Sequence, residues 1–368
     1  MCKPGPRQAG KTTLVRAAFP RHEYVSLESP DMRSFAQSDP RGFLDTYSRG
    51  AILDEVQNVP QLMSYIQGIV DLDSRMGRFI LTGSQNFLLL DSITQSLAGR
   101  TAILNLLPFS MRELLDAGMM REQWENWTFH GFYPPIYDRN PRPDEWMPAY
   151  IQTYLERDIR SISNVHDLST FQNFMKLCAG RVGQIVKLSS LSNDLGVDQK
   201  TVRSWLSVLE TNFTVFLLRP YYRNFNKRVI KSPKIYFFDT GLACNLLGIR
   251  SPRELQIHYA KGNLFENFVL AELWKNKLNN AQPPHLYFWR DSKGHEVDCL
   301  WEQAGGIGAM EIKAGKTVAP DFFKGLDFLR TAAGESSVKS YLVYGGETEQ
   351  KRTNAHVLPW RSISDFMV

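Results

Sequence analysis

Residues 5–12 read Gly5-Pro6-Arg7-Gln8-Ala9-Gly10-Lys11-Thr12, the spacing GxxxxGK(S/T). In such a stretch the glycines let backbone N–H groups turn inward around phosphates, the lysine neutralises the β- and γ-phosphate charge, and the hydroxyl ligates magnesium. Gly5, Gly10, Lys11, Thr12 and Thr13 are therefore the candidate nucleotide-binding residues, with Thr12 also a candidate magnesium ligand. The following stretch "KTTLVRAAF" (11–19) is expected to be a helix with Leu14, Val15 and Ala18 on one face, and its N-terminus favours an anion.

That spelling arises by chance in chains of this length, so the remaining parts of a nucleotide site decide. "GAILDEVQ" (50–57) is a short apolar run ending in two carboxylates, as a buried parallel strand would that delivers Asp54 to magnesium and Glu55 to an attacking water. "RFILTGSQ" (78–85) is a second such run, ending in Ser84 and Gln85, where a polar group can sense the γ-phosphate. "HEYVSLES" (22–29) and "RTAILNLLPFS" (100–110) supply two more expected strands. Arg100, after "QSLAG", stands where an arginine can reach a neighbouring subunit's nucleotide as a finger in a homo-oligomer; an ordinary surface arginine is the other reading. A phosphate loop is normally launched by a buried strand, yet only Met1-Cys2-Lys3-Pro4 precede Gly5, and Pro4 cannot donate to a central ladder. Either a launching strand lies upstream or the fold does without one.

A chain of 368 residues has room for two or three domains of roughly 100–200 residues each. The balance of 43 Lys+Arg against 38 Asp+Glu gives a net charge of +5, which permits an acidic polymer as partner without requiring one. Four cysteines without CxxC spacing argue against a zinc site or a disulfide framework and fit a reducing cytoplasm. No apolar run approaches the roughly 18–20 residues that span a bilayer, so no membrane partner is expected.

In the middle of the chain, "FHGFYPPIYDRNPRPDEWMP" (129–148) is expected to be a loop because prolines interrupt it, and "AYIQTYLERDIRSI" (149–162) resumes helical periodicity as a possible lid. "LSSLSNDLGVDQKTVRSWLSVLE" (188–210) has two apolar-periodic segments joined at Gly196, with Asp198 placed to cap the second: helix-turn-helix grammar. The second helix would turn Lys200, Thr201, Arg203 and Ser204 outward and Val202, Trp205, Leu206 and Leu209 inward. "RPYYRNFNKRVIKSPK" (219–234) then carries Arg219, Arg223, Lys227, Arg228, Lys231 and Lys234 among Tyr221, Tyr222 and Phe225, with no acid. Such a stretch suits a wing on a phosphate backbone, and packing between domains is its alternative.

In "YFWRDSKGHEVDCLWEQAGGIGAMEIKAGK" (287–316), pairing "EVDCLWE" with "IGAMEIK" through a loop near Gln303–Gly306 puts Asp298 opposite Glu311, with Lys313 on the same face. Two carboxylates and a lysine there make a candidate magnesium site for phosphodiester hydrolysis, with Lys313 as the catalytic cation. Upstream, "GNLFENFVLAELWKNKL" (262–278) reads as an amphipathic helix whose Glu266 adds a third carboxylate.

In chain order, "GPRQAGKTTL", "ILDEVQ", "LTGSQNFLL", "SLAGR", "YLERDI", "PKIYFFDTGLA", "GNLFENFVLAEL", "YFWRD", "EVD" and "EIK" resemble a group of prokaryotic AAA-superfamily ATPases whose C-terminal domain looks like a PD-(D/E)xK nuclease core. The resemblance implies an α/β fold: a P-loop AAA-type parallel sheet with helices (1–120), a helical lid and linker (121–185), a winged helix (186–235) and a restriction-endonuclease-like domain (236–368). It implies ATP and Mg2+ as cofactors, ATP-site roles for Lys11, Thr12, Asp54 and Glu55, and nuclease-like positions for Glu266, Asp298, Glu311 and Lys313. The expected protein hydrolyses ATP and acts on, or is regulated by, nucleic acid, with DNA touched by Lys200, Arg203, Arg223, Lys227, Arg228 and Lys231 and with the C-terminal domain a candidate metal-dependent nuclease. The alternative is a DNA-binding regulator whose nucleotide and metal sites are both remnants. The apolar strand that the group has before its phosphate loop is the one plain departure.

Overall fold

The computed structural model describes residues 2–3, 5–73, 75–83, 96–154, 167–221, 232–334 and 338–366. Its contacts divide the chain into two units, Met1–Pro108 with Thr211–Phe213, and Phe109–Glu210 with Thr214–Val368.

In the first unit, β1 (Cys2–Lys3), β2 (Glu23–Ser26), β3 (Ala51–Asp54) and β4 (Phe79–Thr82) form a parallel sheet in the order β1-β4-β3-β2. Every residue of β3 and β4 is buried, as the unbroken apolar runs AILD and FILT require of strands covered on both faces. The connections are helical: α1 (Lys11–Ala18), α2 (Pro30–Ser38), α3 (Pro40–Thr46) and α4 (Leu62–Leu72). In the position of the launching strand, Cys2 and Lys3 pair in parallel with Leu81 and Thr82 of β4. Of the apolar face expected on α1, only Val15 turns inward, against Ile52 and Ile80; Leu14 and Ala18 are exposed. The run 100–110 differs from the strand expected of it, carrying a single bridge residue at Ile103.

The second unit holds α5 (Met111–Asp116), α6 (Trp124–His130), α7 (Pro134–Asp138), α8 (Pro143–Tyr154), α9 (Leu168–Gly180), α10 (Leu188–Leu195) and α11 (Gln199–Thr211). Residues 129–148 are thus largely helical rather than a loop, since Pro134 and Pro143 occupy first-turn positions, where a missing N–H costs nothing. β5 (Val215–Pro220) and β6 (Lys234–Phe237) follow, then α12 (Thr240–Leu246), α13 (Pro252–Ile257), α14 (Lys261–Asn279), β7 (Tyr287–Arg290), β8 (Glu296–Gln303), β9 (Gly306–Lys313), α15 (Lys324–Ala333), β10 (Val338–Tyr344), β11 (Gln350–Lys351) and β12 (His356–Pro359). The eight strands form one mixed sheet in the order β11-β12-β10-β9-β8-β7-β5-β6.

α14 is not the amphipathic helix its sequence suggested. Every residue from Leu264 to Leu273 is buried, because β6 and β9 cover one side and α6, α12 and α13 the others. α10 ends on Gly196 at φ 68°, a left-handed conformation natural to glycine, and Asp198 caps α11 by accepting from the Thr201 N–H at 2.8 Å. Val202, Trp205, Leu206 and Leu209 are buried, with the Trp205 ring 5.3 Å and 5.5 Å from those of Phe171 and Phe174 on α9.

Candidate functional site

The phosphate loop of the first unit is built where no side chain fits. A Cβ on Gly5 would lie 2.0 Å from the Leu106 carbonyl oxygen, and Gly10 has φ 81° as it caps α1. Lys11 is buried, and its ammonium donates to the Gly5 and Pro6 carbonyls at 2.9 and 2.7 Å, so a cation stands inside the turn. Thr12 donates its hydroxyl to Asp54 Oδ2 at 2.8 Å, bringing hydroxyl and carboxylate within reach of one shared ion. Thr13 is exposed one position further along the helix.

Asp54 ends β3 and accepts from two more hydroxyls that sequence reasoning had passed over, Tyr24 at 2.8 Å and Thr82, besides the Glu55 N–H at 3.1 Å. Burial, with the bond to Asp54, pushes the Tyr24 phenol up to about 12, so it stays a donor. Glu55 has φ 55°, an uncommon conformation for a non-glycine residue, and accepts from the Gln57 amide. The loop, lysine, hydroxyl and carboxylates together fit a nucleotide with magnesium. Arg100 is exposed and held in an ion pair by Asp71 of α4, with 2.5 Å from Nε to Oδ1. Ser84, Gln85, Arg223, Lys227, Arg228 and Lys231 lie outside the described residues. Lys200 and Arg203 are exposed on α11.

The second cluster gathers at one end of β6, β8 and β9. The β8–β9 ladder runs from Gln303↔Gly306 to Cys299↔Met310, and one step further stand Asp298 and Glu311. Lys313 donates to Asp298 Oδ2 at 3.2 Å and to Glu311 Oε2 at 2.6 Å, and the Ile312 N–H reaches Asp298 Oδ2 at 2.9 Å. Glu266 arrives from α14 and accepts from the Tyr236 hydroxyl.

Lys234 does not lie on the basic surface its sequence context suggested. Its side chain turns inward at 2% exposure, with Nζ 3.0 Å from Glu266 Oε1, 2.5 Å from Glu296 Oε1 and 4.0 Å from Asp298 Oδ1. Tyr221 is likewise buried and donates to Glu302 at 2.9 Å. Lys234, Tyr236 and Glu296 are the residues sequence reasoning missed in this cluster. Two signals were available: Lys234 and Tyr236 alternate with apolar residues in "PKIYFF", and Glu296 shares the face of Asp298 in "EVD".

Burial pushes the Asp298 carboxyl up, but Lys313 and Lys234 outweigh it and hold it down at about 2. Burial drives Glu266 the other way, up to about 7 against the pull of Lys234, and burial with Asp298 alongside lifts Glu311 well above the carboxylate range. Both lysines are depressed by burial but raised further by their carboxylates, which keeps them charged. Among the described residues, no group of three or more His, Cys, Asp or Glu is arranged to hold a metal ion. The magnesium expected here does not fit donors that already face the buried Lys234 ammonium and the half-buried Lys313.

Residues 4–115 match the family described as AAA domain. Residues 121–253 and 261–363 match two domains of unknown function, DUF8612 and DUF4143. A solved structure of a point variant of Thermotoga maritima RuvB aligns with a TM-score of 0.27 and 18% identity, over 59% of this chain and 80% of that one. No helix among the described residues is long and apolar enough to cross a membrane. Two curated relatives, the uncharacterized proteins Rv2008c of Mycobacterium tuberculosis and Mb2031c of Mycobacterium bovis, are each 32% identical over 318 residues, covering 85% of this chain and 70% of theirs. The chain therefore belongs to the family of these two mycobacterial proteins and carries an AAA domain, a nucleotide-binding α/β unit, over residues 4–115.

Proposed function

We propose that the chain is a magnesium-dependent ATPase of the AAA type that acts on, or is regulated by, nucleic acid, DNA first. The observation that carries the ATPase is the 2.8 Å hydrogen bond from Thr12 to Asp54 beside the buried Lys11. Lys11 neutralises the β/γ-phosphate charge, while Thr12 and Asp54 hold the ion that polarises those oxygens when bound. Glu55 orients the attacking water and takes its proton, and Gln57 fixes the direction of that carboxylate. The uncommon backbone at Glu55 is consistent with a residue held for function. Gln85 remains the candidate γ-phosphate sensor. Arg100 remains a candidate finger toward a second copy of the chain, since an exposed ion pair such as that with Asp71 is worth about 0–1 kcal/mol and yields to a better partner.

The nucleic-acid reading rests on residues 168–237. Three helices, α9, α10 and α11, lead into the β5–β6 hairpin, and Val182 and Ile185 bridge to β6, an arrangement that supports a winged helix. Lys200 and Arg203 stand exposed on its second turn helix, and the basic run 223–231 falls between β5 and β6 in the sequence. For residues 236–368, the gathering of Glu266, Asp298, Glu311 and Lys313 supports a nuclease-like layout. A second reading, in which that layout has kept its architecture but not metal-dependent cleavage, is favoured by Lys234 among the carboxylates.

Magnesium-dependent ATP turnover, measured with and without duplex and single-stranded DNA, tests the proposal. Turnover that DNA changes severalfold is expected, with Glu55→Gln binding ATP but not hydrolysing it. A wild type that binds no ATP, or hydrolyses it at the rate of Glu55→Gln, would return the nucleotide site to a remnant.

A further inference from the structure

We propose that the Lys234 ammonium is the resident cation of the carboxylate cluster formed by Glu266, Glu296 and Asp298, so that the nuclease-like core holds its charge without a divalent metal. The inference uses the nuclease-like reading of residues 236–368 only for the expectation of a metal; the ion pairs stand without it.

Three cations already face four carboxylates. Lys234 reaches Glu266 at 3.0 Å and Glu296 at 2.5 Å, Lys313 reaches Asp298 at 3.2 Å and Glu311 at 2.6 Å, and Arg290 reaches the second oxygen of Glu296 at 3.1 Å. Magnesium demands near-octahedral oxygen donors at roughly 2.0–2.1 Å and keeps several waters. Here at least one oxygen of each carboxylate is already engaged by a cation. Asp298 Oδ2 accepts from both Lys313 and the Ile312 N–H, and Glu266 Oε1 from both Lys234 and Tyr236. Glu311 Oε1 lies where a Cβ on Gly325 would come within 2.2 Å, so the first turn of α15 closes over it.

Lys234 cannot swing aside as a surface lysine does. Its backbone is held from both sides of β6, by Leu218 of β5 and by the bridge to Ile185, and its Nζ lies 5.6 Å over the Phe288 ring. A divalent ion bonded to Asp298 Oδ1 would sit close to this fixed positive charge, since that oxygen is 4.0 Å from Nζ. Removing the ammonium alone would leave the buried Glu266 carboxylate without its cation, a situation that either costs stability or recruits another cation.

The test uses the full chain without nucleotide, in a Thr12→Ala background that removes the phosphate-loop hydroxyl from metal binding, with Mn2+ as the probe. Binding is read by electron paramagnetic resonance of the free ion and by thermal melting. The parent should bind no Mn2+ in the second unit and show no shift in melting temperature at millimolar Mn2+ or Mg2+. Adding Lys234→Met should lower the melting temperature, create one Mn2+ site that restores part of the loss, and lose that site again with Asp298→Asn. Adding Glu266→Gln to Lys234→Met should recover stability without metal. A parent that binds one Mn2+, lost on Asp298→Asn, overturns the proposal, and so does a Lys234→Met/Glu266→Gln pair no more stable than Lys234→Met. If Lys234→Met does not fold, the parent titration and the double variant still decide. Failure of the ATPase reading would leave these outcomes untouched, because no nucleotide takes part in them.

Discussion

Asp54 is the residue on which the nucleotide site turns. It accepts from Thr12, Tyr24, Thr82 and the Glu55 N–H, so its carboxylate is aimed before any ligand arrives. Such preorganisation means that little is lost in orienting the group when an ion takes the place of a hydroxyl proton. Lys11 is the complementary case. Its ammonium rests on two carbonyls of its own loop and would exchange them for phosphate oxygens, and hydrogen bonds to charged groups are worth about 1.5–3 kcal/mol each. Lys11→Ala should therefore weaken ATP at least tenfold, and more than a hundredfold if both bonds are replaced by bonds to phosphate. Isothermal calorimetry giving equal affinity in wild type and variant would remove Lys11 from the site.

At the scale of elements, α15 and the β8–β9 hairpin meet at a contact that only glycine allows. A Cβ at Gly325 would come within 2.1 Å of the Glu296 carbonyl oxygen and 2.2 Å of Glu311 Oε1. Gly325→Ala must push α15 away from the strands or move Glu311 out of its pairing with Lys313, and overpacking of this kind costs about 1–3 kcal/mol. Chemical denaturation should show that loss; stability equal to wild type would mean that α15 is free to shift. The hairpin itself is short-looped, and β8 is buried on both faces from Val297 to Trp301.

For the molecule as a whole, a net charge of +5 on 368 residues is too small to attract DNA by itself. Any affinity must come from local clusters, and α11 presents Lys200 and Arg203 on the side opposite Val202, Trp205 and Leu209. Each phosphate contact contributes about 0.9 to the slope of log affinity against log salt. Neutralising Lys200 and Arg203 together should lower that slope by up to about 1.8 and weaken binding evenly across sequences, read by fluorescence anisotropy over a salt series. An unchanged slope would assign α11 to packing alone. The turnover assay and this titration address different units, so each can fail without the other.

The sequence by itself determined what depends on neighbours along the chain. GxxxxGK(S/T), an apolar run ending in Asp54-Glu55, the Gly196 and Asp198 signals of the α10–α11 turn, and the alternation placing Asp298 beside Glu311 are all local patterns, and local sterics and pleat enforce them. Only the tertiary structure decided what depends on partners far away in the chain. β1 becomes a strand because Leu81 and Thr82 offer it a ladder, although two residues carry no periodicity of their own. Pro134 and Pro143 start helices rather than break them, and burial of Trp124, Trp127 and Tyr133 holds that region together. α14 is buried on all sides from Leu264 to Leu273, so Glu266 lies inside the core. Lys234 reads in sequence as one more cation in a basic run, yet β6 turns its side chain toward Glu266 and Glu296, 32 and 62 residues away. A charge is worth burying only where opposite charges converge, and that convergence exists only after the strands and α14 have packed.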